Sequence, residues 1–106
     1  MAWFYLGIAG IFEVVWAFAM KQSEGFTRPI PSIVTGLGML ASIWFLAAAM
    51  KVLPLGTAYV IWTGIGAVGA FVLGIVFLGE SAEPLRLIAA TLIILGLVLL
   101  KIATPH

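Results

Sequence analysis

Cysteine is absent from the 106 residues, so the chain has no disulfide framework, no thiol chemistry and no thiolate metal site, and its redox compartment is left open. Charge is nearly as scarce. Asp, Glu, Lys and Arg make up 8% of residues against about 25% in soluble domains, while 64% are hydrophobic and mean hydropathy is +1.28. That balance excludes a soluble enzyme and belongs to a membrane protein. The net charge of +1 comes without the basic face or stripe that a nucleic-acid partner requires. Histidine occurs once, as the final residue His106, which reads as a chain end or tag remnant rather than a metal ligand. No nucleophile–base pair or metal-ligand cluster stands out, so neither enzyme chemistry, nor a metal, nor a cofactor is expected.

Four apolar runs fill the chain, and they predict one all-α domain with membrane helices at about 2–20, 30–50, 55–78 and 84–101. The first ends at Lys21-Gln22-Ser23-Glu24-Gly25. The second is opened by Pro29 and Pro31 and closed by Lys51, and the third lies between Pro54 and Gly79-Glu80-Ser81. The fourth starts at Pro84 and closes at Lys101, with Arg86 and Lys101 able to snorkel from its ends. A helix of 20 residues spans about 30 Å, the thickness of the hydrocarbon core. Proline at a helix start is tolerated because its missing N–H would lack a partner there anyway. The runs are too long, and too lacking in alternation, for barrel strands. Ala17-Phe18-Ala19 resembles a signal-peptidase site. However, no Lys or Arg precedes the first run, which also holds Glu13, Trp3 and Trp16, so it reads as a retained helix.

Four crossings put Lys51, Lys101 and the terminal amine on one side, and Lys21, Arg28 and Arg86 on the other. The positive-inside rule finds no excess to act on. Either another signal sets orientation or the chain inserts both ways.

Glu13 is the only acidic or basic side chain between Met1 and Met20. A carboxylate at bilayer depth costs roughly 2.5–3.5 kcal/mol on insertion scales, so it marks a functional site and faces a bundle interior or cavity. Four helices of this length can barely enclose such a cavity. A dimer supplies one and brings a second Glu13, and inverted copies would have the inverted-repeat symmetry of many transporters.

Ala9, Gly10, Glu13, Trp16 and Ala17 share one face of the first helix by their i±3 and i±4 spacing. Gly10 and Ala9 leave room beside the carboxylate, and Trp16 is either an aromatic wall for a cation or a packing residue. Trp3 and Tyr5 read as residues of the interfacial belt. Thr35, Gly38, Met39 and Ser42 form a stripe on the second helix, where Ser42 either bonds Glu13 or its own i−4 carbonyl. Met39 and Ile43 would line a lateral opening or plain lipid contact. On the third helix Tyr59, Trp62, Gly66 and Gly69 lie together, and the ring donors seek a partner such as a carboxylate across the bundle. Gly64 and Gly66 permit close helix approach or a hinge. The stripe of Ala89, Ile93 and Gly96 on the fourth helix suits assembly, and Glu80 and Glu83 read as solvated loop charges.

With these residues in view, the runs Gly10-Ile11-Phe12-Glu13-Val14-Val15-Trp16-Ala17 and Leu53-Pro54-Leu55-Gly56-Thr57-Ala58-Tyr59-Val60-Ile61-Trp62-Thr63-Gly64-Ile65-Gly66 resemble the pattern of the small multidrug resistance family, over essentially the whole chain. Trp16, Gly56-Thr57-Ala58-Tyr59, and Lys21 with Gly25-Phe26-Thr27-Arg28 are more similar to its guanidinium exporter branch than to its quaternary-ammonium branch. Departures from relatives are expected at lipid-facing positions such as Ile43, Phe45 and Phe71. The resemblance implies an antiparallel, dual-topology homodimer in a bacterial or archaeal cytoplasmic membrane that exchanges protons for guanidinium. It implies Glu13 as the shared proton and substrate site, with Trp16, Ser42, Tyr59 and Trp62 around it. Two alternatives stay open: a promiscuous exporter of quaternary ammonium or other lipophilic cations, and a non-transporting membrane scaffold or subunit chaperone.

Overall fold

The structure is a computed structural model and describes residues 1–104, so His106 lies outside the described residues. The helices are α1 (Ala2–Gln22), α2 (Pro29–Met50), α3 (Leu55–Leu78) and α4 (Pro84–Ala103). All four are long and apolar enough to cross a membrane, because each apolar run approximates the thickness of a bilayer core. Proline sits in the first turn of α2 and α4 and at the cap of α3, where an absent N–H costs nothing. Gly79 ends α3 in the left-handed conformation, φ 68°, which glycine adopts without a β-carbon clash.

The α1–α2 connection is a tight turn rather than a slack loop. Glu24, Gly25 and Phe26 have φ of 50°, 76° and 68°, an arrangement unfavourable for the two that carry β-carbons. The fully buried Ser23 holds it. Its hydroxyl donates to the Met20 carbonyl at 2.7 Å and accepts the Phe26 N–H at 3.0 Å, while its carbonyl accepts the N–H groups of Thr27 and Arg28.

Helices α1 and α2 form a closely packed antiparallel pair, α3 lies mainly against α1, and α4 has backbone neighbours in α3 alone. The buried apolar cluster of Leu6, Ala9, Leu46, Ala49, Leu53, Ala58 and Ile61 joins the first three helices at one end. No residue of α4 is buried. Leu97 fills the space that a side chain at Gly64 would take, and Arg86 and Lys101 fold onto rings, 5.0 Å from Phe71 and 4.8 Å from Trp3. The Cα envelope measures 43 × 34 × 16 Å. With helix axes about 8–10 Å apart, the short dimension is about two helices deep, too thin for a sealed interior.

Two side-chain expectations need correction. Phe45 does not simply face lipid: it is half-buried, stacked on Phe12 at 5.9 Å and met edge-on by Trp44 at 5.0 Å. Phe71 is likewise half-buried and carries the Arg86 guanidinium. In both cases the covering group comes from a residue whose approach no helical period reveals.

Two glycines separate close approach from open space. Gly36→Ala adds a carbon where nothing lies within 4 Å, so it is expected to stabilise α2 by about 0.5–1 kcal/mol. Gly10→Ala drives its carbon into the β-branched Ile65 and is expected to cost about 1–3 kcal/mol. Circular-dichroism melts of the two variants in detergent should move in opposite directions.

Candidate functional site

The middle of α1 brings Glu13 against α3 at Gly66. That glycine is buried, and a β-carbon built on it would run into the Glu13 carboxyl group. The acid therefore lies against bare helix backbone, and the missing side chain is what admits it. Gly69, one turn along α3, accommodates Val14 in the same way. Glu13 Oε1 is buried and has no hydrogen-bond partner among the described residues.

Trp16 stands one turn from Glu13 and turns to the other neighbour. Its Cβ lies 3.1 Å from where a β-carbon on Gly38 of α2 would sit. The indole Nε1 is the second buried polar atom without a partner among the described residues. The site thus presents an unfilled acceptor and an unfilled donor one turn apart on α1. One calls for a proton or a cationic N–H; the other calls for an acceptor.

Ser42 pairs neither with Glu13 nor with its own i−4 carbonyl. Its hydroxyl donates across helices to the Ala9 carbonyl at 2.6 Å and accepts the Trp62 Nε1–H at 2.9 Å. Ser42 is fully buried, and this pair of bonds ties α1, α2 and α3 together. The Trp62 donor, expected to look for a carboxylate, is satisfied by this hydroxyl. Tyr59 lies tilted against Trp62, ring centroids 5.5 Å apart, is 52% exposed, and lines an apolar groove of about 500 Å³ between α3 and α4.

Gly10 packs on Ile65 rather than opening space beside the carboxylate. Gly64 and Gly66 lie within an unbroken helix, each in close contact with a neighbour, Leu97 and Glu13 respectively. Met39 is half-buried and Ile43 is 49% exposed. Among the described residues no three His, Cys, Asp or Glu side chains come together.

Sequence reasoning missed Gly38 as the seat of Trp16 and the Ala9 carbonyl as the acceptor for Ser42. The stripe of Gly38 and Ser42, two small residues one turn apart, was the available signal.

These features define a small four-helix membrane protein organised around one buried carboxylate. The family described as Small Multidrug Resistance protein matches residues 1–93. The chain is 56% identical over 104 residues to the guanidinium exporter of Escherichia coli strain K12, covering 98% of this chain and 99% of that one. It is 56% identical to the guanidinium exporter of Yersinia pestis, covering 98% and 100%, and 55% identical to that of Citrobacter freundii, covering 98% and 99%. The chain belongs to the small multidrug resistance family, and is a multi-pass protein of the cytoplasmic membrane.

Ser42→Ala leaves the Trp62 Nε1–H without its acceptor and removes the bond to the Ala9 carbonyl, which keeps its partner within α1, at an expected cost of about 1–3 kcal/mol. In a ¹H–¹⁵N spectrum of the labelled protein, the Trp62 indole resonance should move upfield. Trp44, 64% exposed, serves as the unmoved reference. An unchanged Trp62 signal would mean that the bond to Ser42 is not made in lipid.

Proposed function

We propose that this protein exports guanidinium in exchange for protons, working as an antiparallel homodimer whose paired Glu13 carboxylates bind either one. The observation that carries this reading is the two buried, unpartnered atoms one turn apart on α1, Glu13 Oε1 and Trp16 Nε1. Each costs about 1–3 kcal/mol while unsatisfied, so the working protein should give both a partner. A proton satisfies the carboxylate oxygen, and so does a planar guanidinium, which remains charged and offers paired N–H groups to carboxylate oxygens. The indole N–H needs an acceptor, which no cation provides; the carboxylate of a second copy can. Relatives more than half identical carry the name guanidinium exporter, which supports the substrate.

Assembly is supported by shape. The chain is a layer 16 Å thick with an entirely unburied α4, and the stripe of Ala89, Ile93 and Gly96, small at two of its three positions, offers a helix contact. Charge of nearly equal count on the two sides leaves both insertions open, as an inverted pair requires. Gly10, Trp16, Ser42, Tyr59 and Trp62 form the surrounding shell, with Ser42 and Trp62 holding the helices in place. Gly64 and Gly66 are the points where α3 flexes as access alternates, moving the Gly66 backbone away from Glu13. Proton and cation compete for the same oxygens, so an inward proton gradient drives guanidinium out. No covalent bond is made or broken, and the protein acts as a transporter rather than an enzyme.

Solid-supported-membrane electrophysiology on proteoliposomes tests the reading. Guanidinium pulses should give transient currents with the native protein and only background with Glu13→Gln. Uptake that ignores the pH gradient, or that survives Glu13→Gln, would sink it. A larger response to tetraphenylphosphonium than to guanidinium would assign the protein to lipophilic cations instead.

A further inference from the structure

At one end of the helix layer the α3–α4 connection turns a second carboxylate back over the membrane-spanning part. After Gly79, the Glu80 N–H donates to the Gly74 carbonyl at 3.0 Å, closing α3. The Glu80 side chain then lies along α3 where Gly74 has none; a β-carbon at position 74 would strike the Glu80 carboxyl group. Glu80 is exposed, as expected of a loop charge, but its side chain follows α3 instead of pointing freely away. Glu83, in the same connection, caps α4 without a side-chain bond and fits the solvated description.

Glu80 stands at the rim of a cavity of about 270 Å³ between α1, α3 and α4. Ala17 and Ala67 form part of its inner wall. They lie one turn beyond Glu13 on α1 and next to Gly66 on α3, so the cavity leads from the helix ends towards the seat of the buried acid. Lys21 at the rim is roughly 12 Å along α1 from Glu13 at 1.5 Å per residue.

The other charges at the rim are Lys21 and Arg86. Arg86 is committed to the scaffold: Nη1 donates to the Ser81 carbonyl at 2.7 Å and its Cζ lies 5.0 Å over the Phe71 ring. The cavity therefore already accommodates one guanidinium group, on an aromatic face with a carbonyl oxygen beside it. Lys21 is exposed in the last turn of α1, and its flexible stem lets the ammonium turn out to water.

We propose that Glu80 is a second cation-docking carboxylate, which receives guanidinium at the mouth of this cavity on its way to or from Glu13. The inference rests on the guanidinium reading above. Among the described residues no cation is paired with the Glu80 carboxylate, so an arriving guanidinium finds its oxygens open, with Lys21 and Arg86 as the neighbouring rim charges. Docking therefore needs no proton.

The test is the initial rate of radiolabelled guanidinium uptake into proteoliposomes, measured against substrate concentration. Glu80→Gln should raise KM by about 1.4- to fivefold at low salt, the range set by an exposed ion pair, with the maximal rate little changed. The difference should shrink at about 0.5 M salt through screening. Gly74→Ala keeps the charge and favours the helix but pushes the carboxylate off α3, and should raise KM at least about twofold. This second variant decides the matter if Glu80→Gln folds poorly. A native KM in either folded variant, or an equal shift in Glu83→Gln, overturns the proposal. Uptake that is intact in Glu13→Gln removes the parent reading, and this one with it.

Discussion

The seating of the Glu13 carboxyl group on the bare backbone of α3 at Gly66 is the contact on which the remaining geometry depends. An acid at bilayer depth needs a site shielded from lipid tails, because hydrocarbon offers it neither hydrogen bonds nor a counter-charge. Here the shield is a helix brought so close that one position can carry no side chain. Gly69 beneath Val14 and Gly10 against Ile65 extend the same close approach along the α1–α3 contact. Larger residues at these points would separate the helices and open the acid to lipid.

The helices are unequal partners around that contact. The tight turn at Ser23 and the Ser42 bond to the Ala9 carbonyl fasten α1 to α2. Trp62 adds α3 to this frame through a single hydroxyl. Helix α4 has backbone neighbours in α3 alone, and at its two ends Arg86 rests on Phe71 of α3 and Lys101 on Trp3 of α1. The acid is left on a firm two-helix frame, facing a third helix with glycines at its contacts, while Trp16 sits against Gly38 within that frame.

Much of this was legible along the chain. The apolar runs match bilayer thickness, so their number and helical character followed from hydrophobic length. Glu13 stood out because one charge within an apolar run has few explanations. The burial of Thr35, Gly38 and Ser42 on one side of α2 also follows the helical period. Pairings were another matter. Ser42 had two candidate partners in the local chain and chose a third, on α1. Phe45 looked like a lipid-facing ring and turned out to stack on Phe12. Glu80 is the exposed loop charge it read as, but nothing along the chain placed it over Gly74.

Linear order was thus sufficient for membrane class, helix count, the one deep carboxylate and the family pattern, since each depends on composition or on spacing within a single helix. It was not sufficient for which glycine admits the acid, which carbonyl receives the Ser42 proton, or which indole is left without an acceptor. Those outcomes depend on the distance and rotation between helices far apart in the chain, and in a membrane segment that is apolar all round no stripe of hydrophobicity reveals which side meets which.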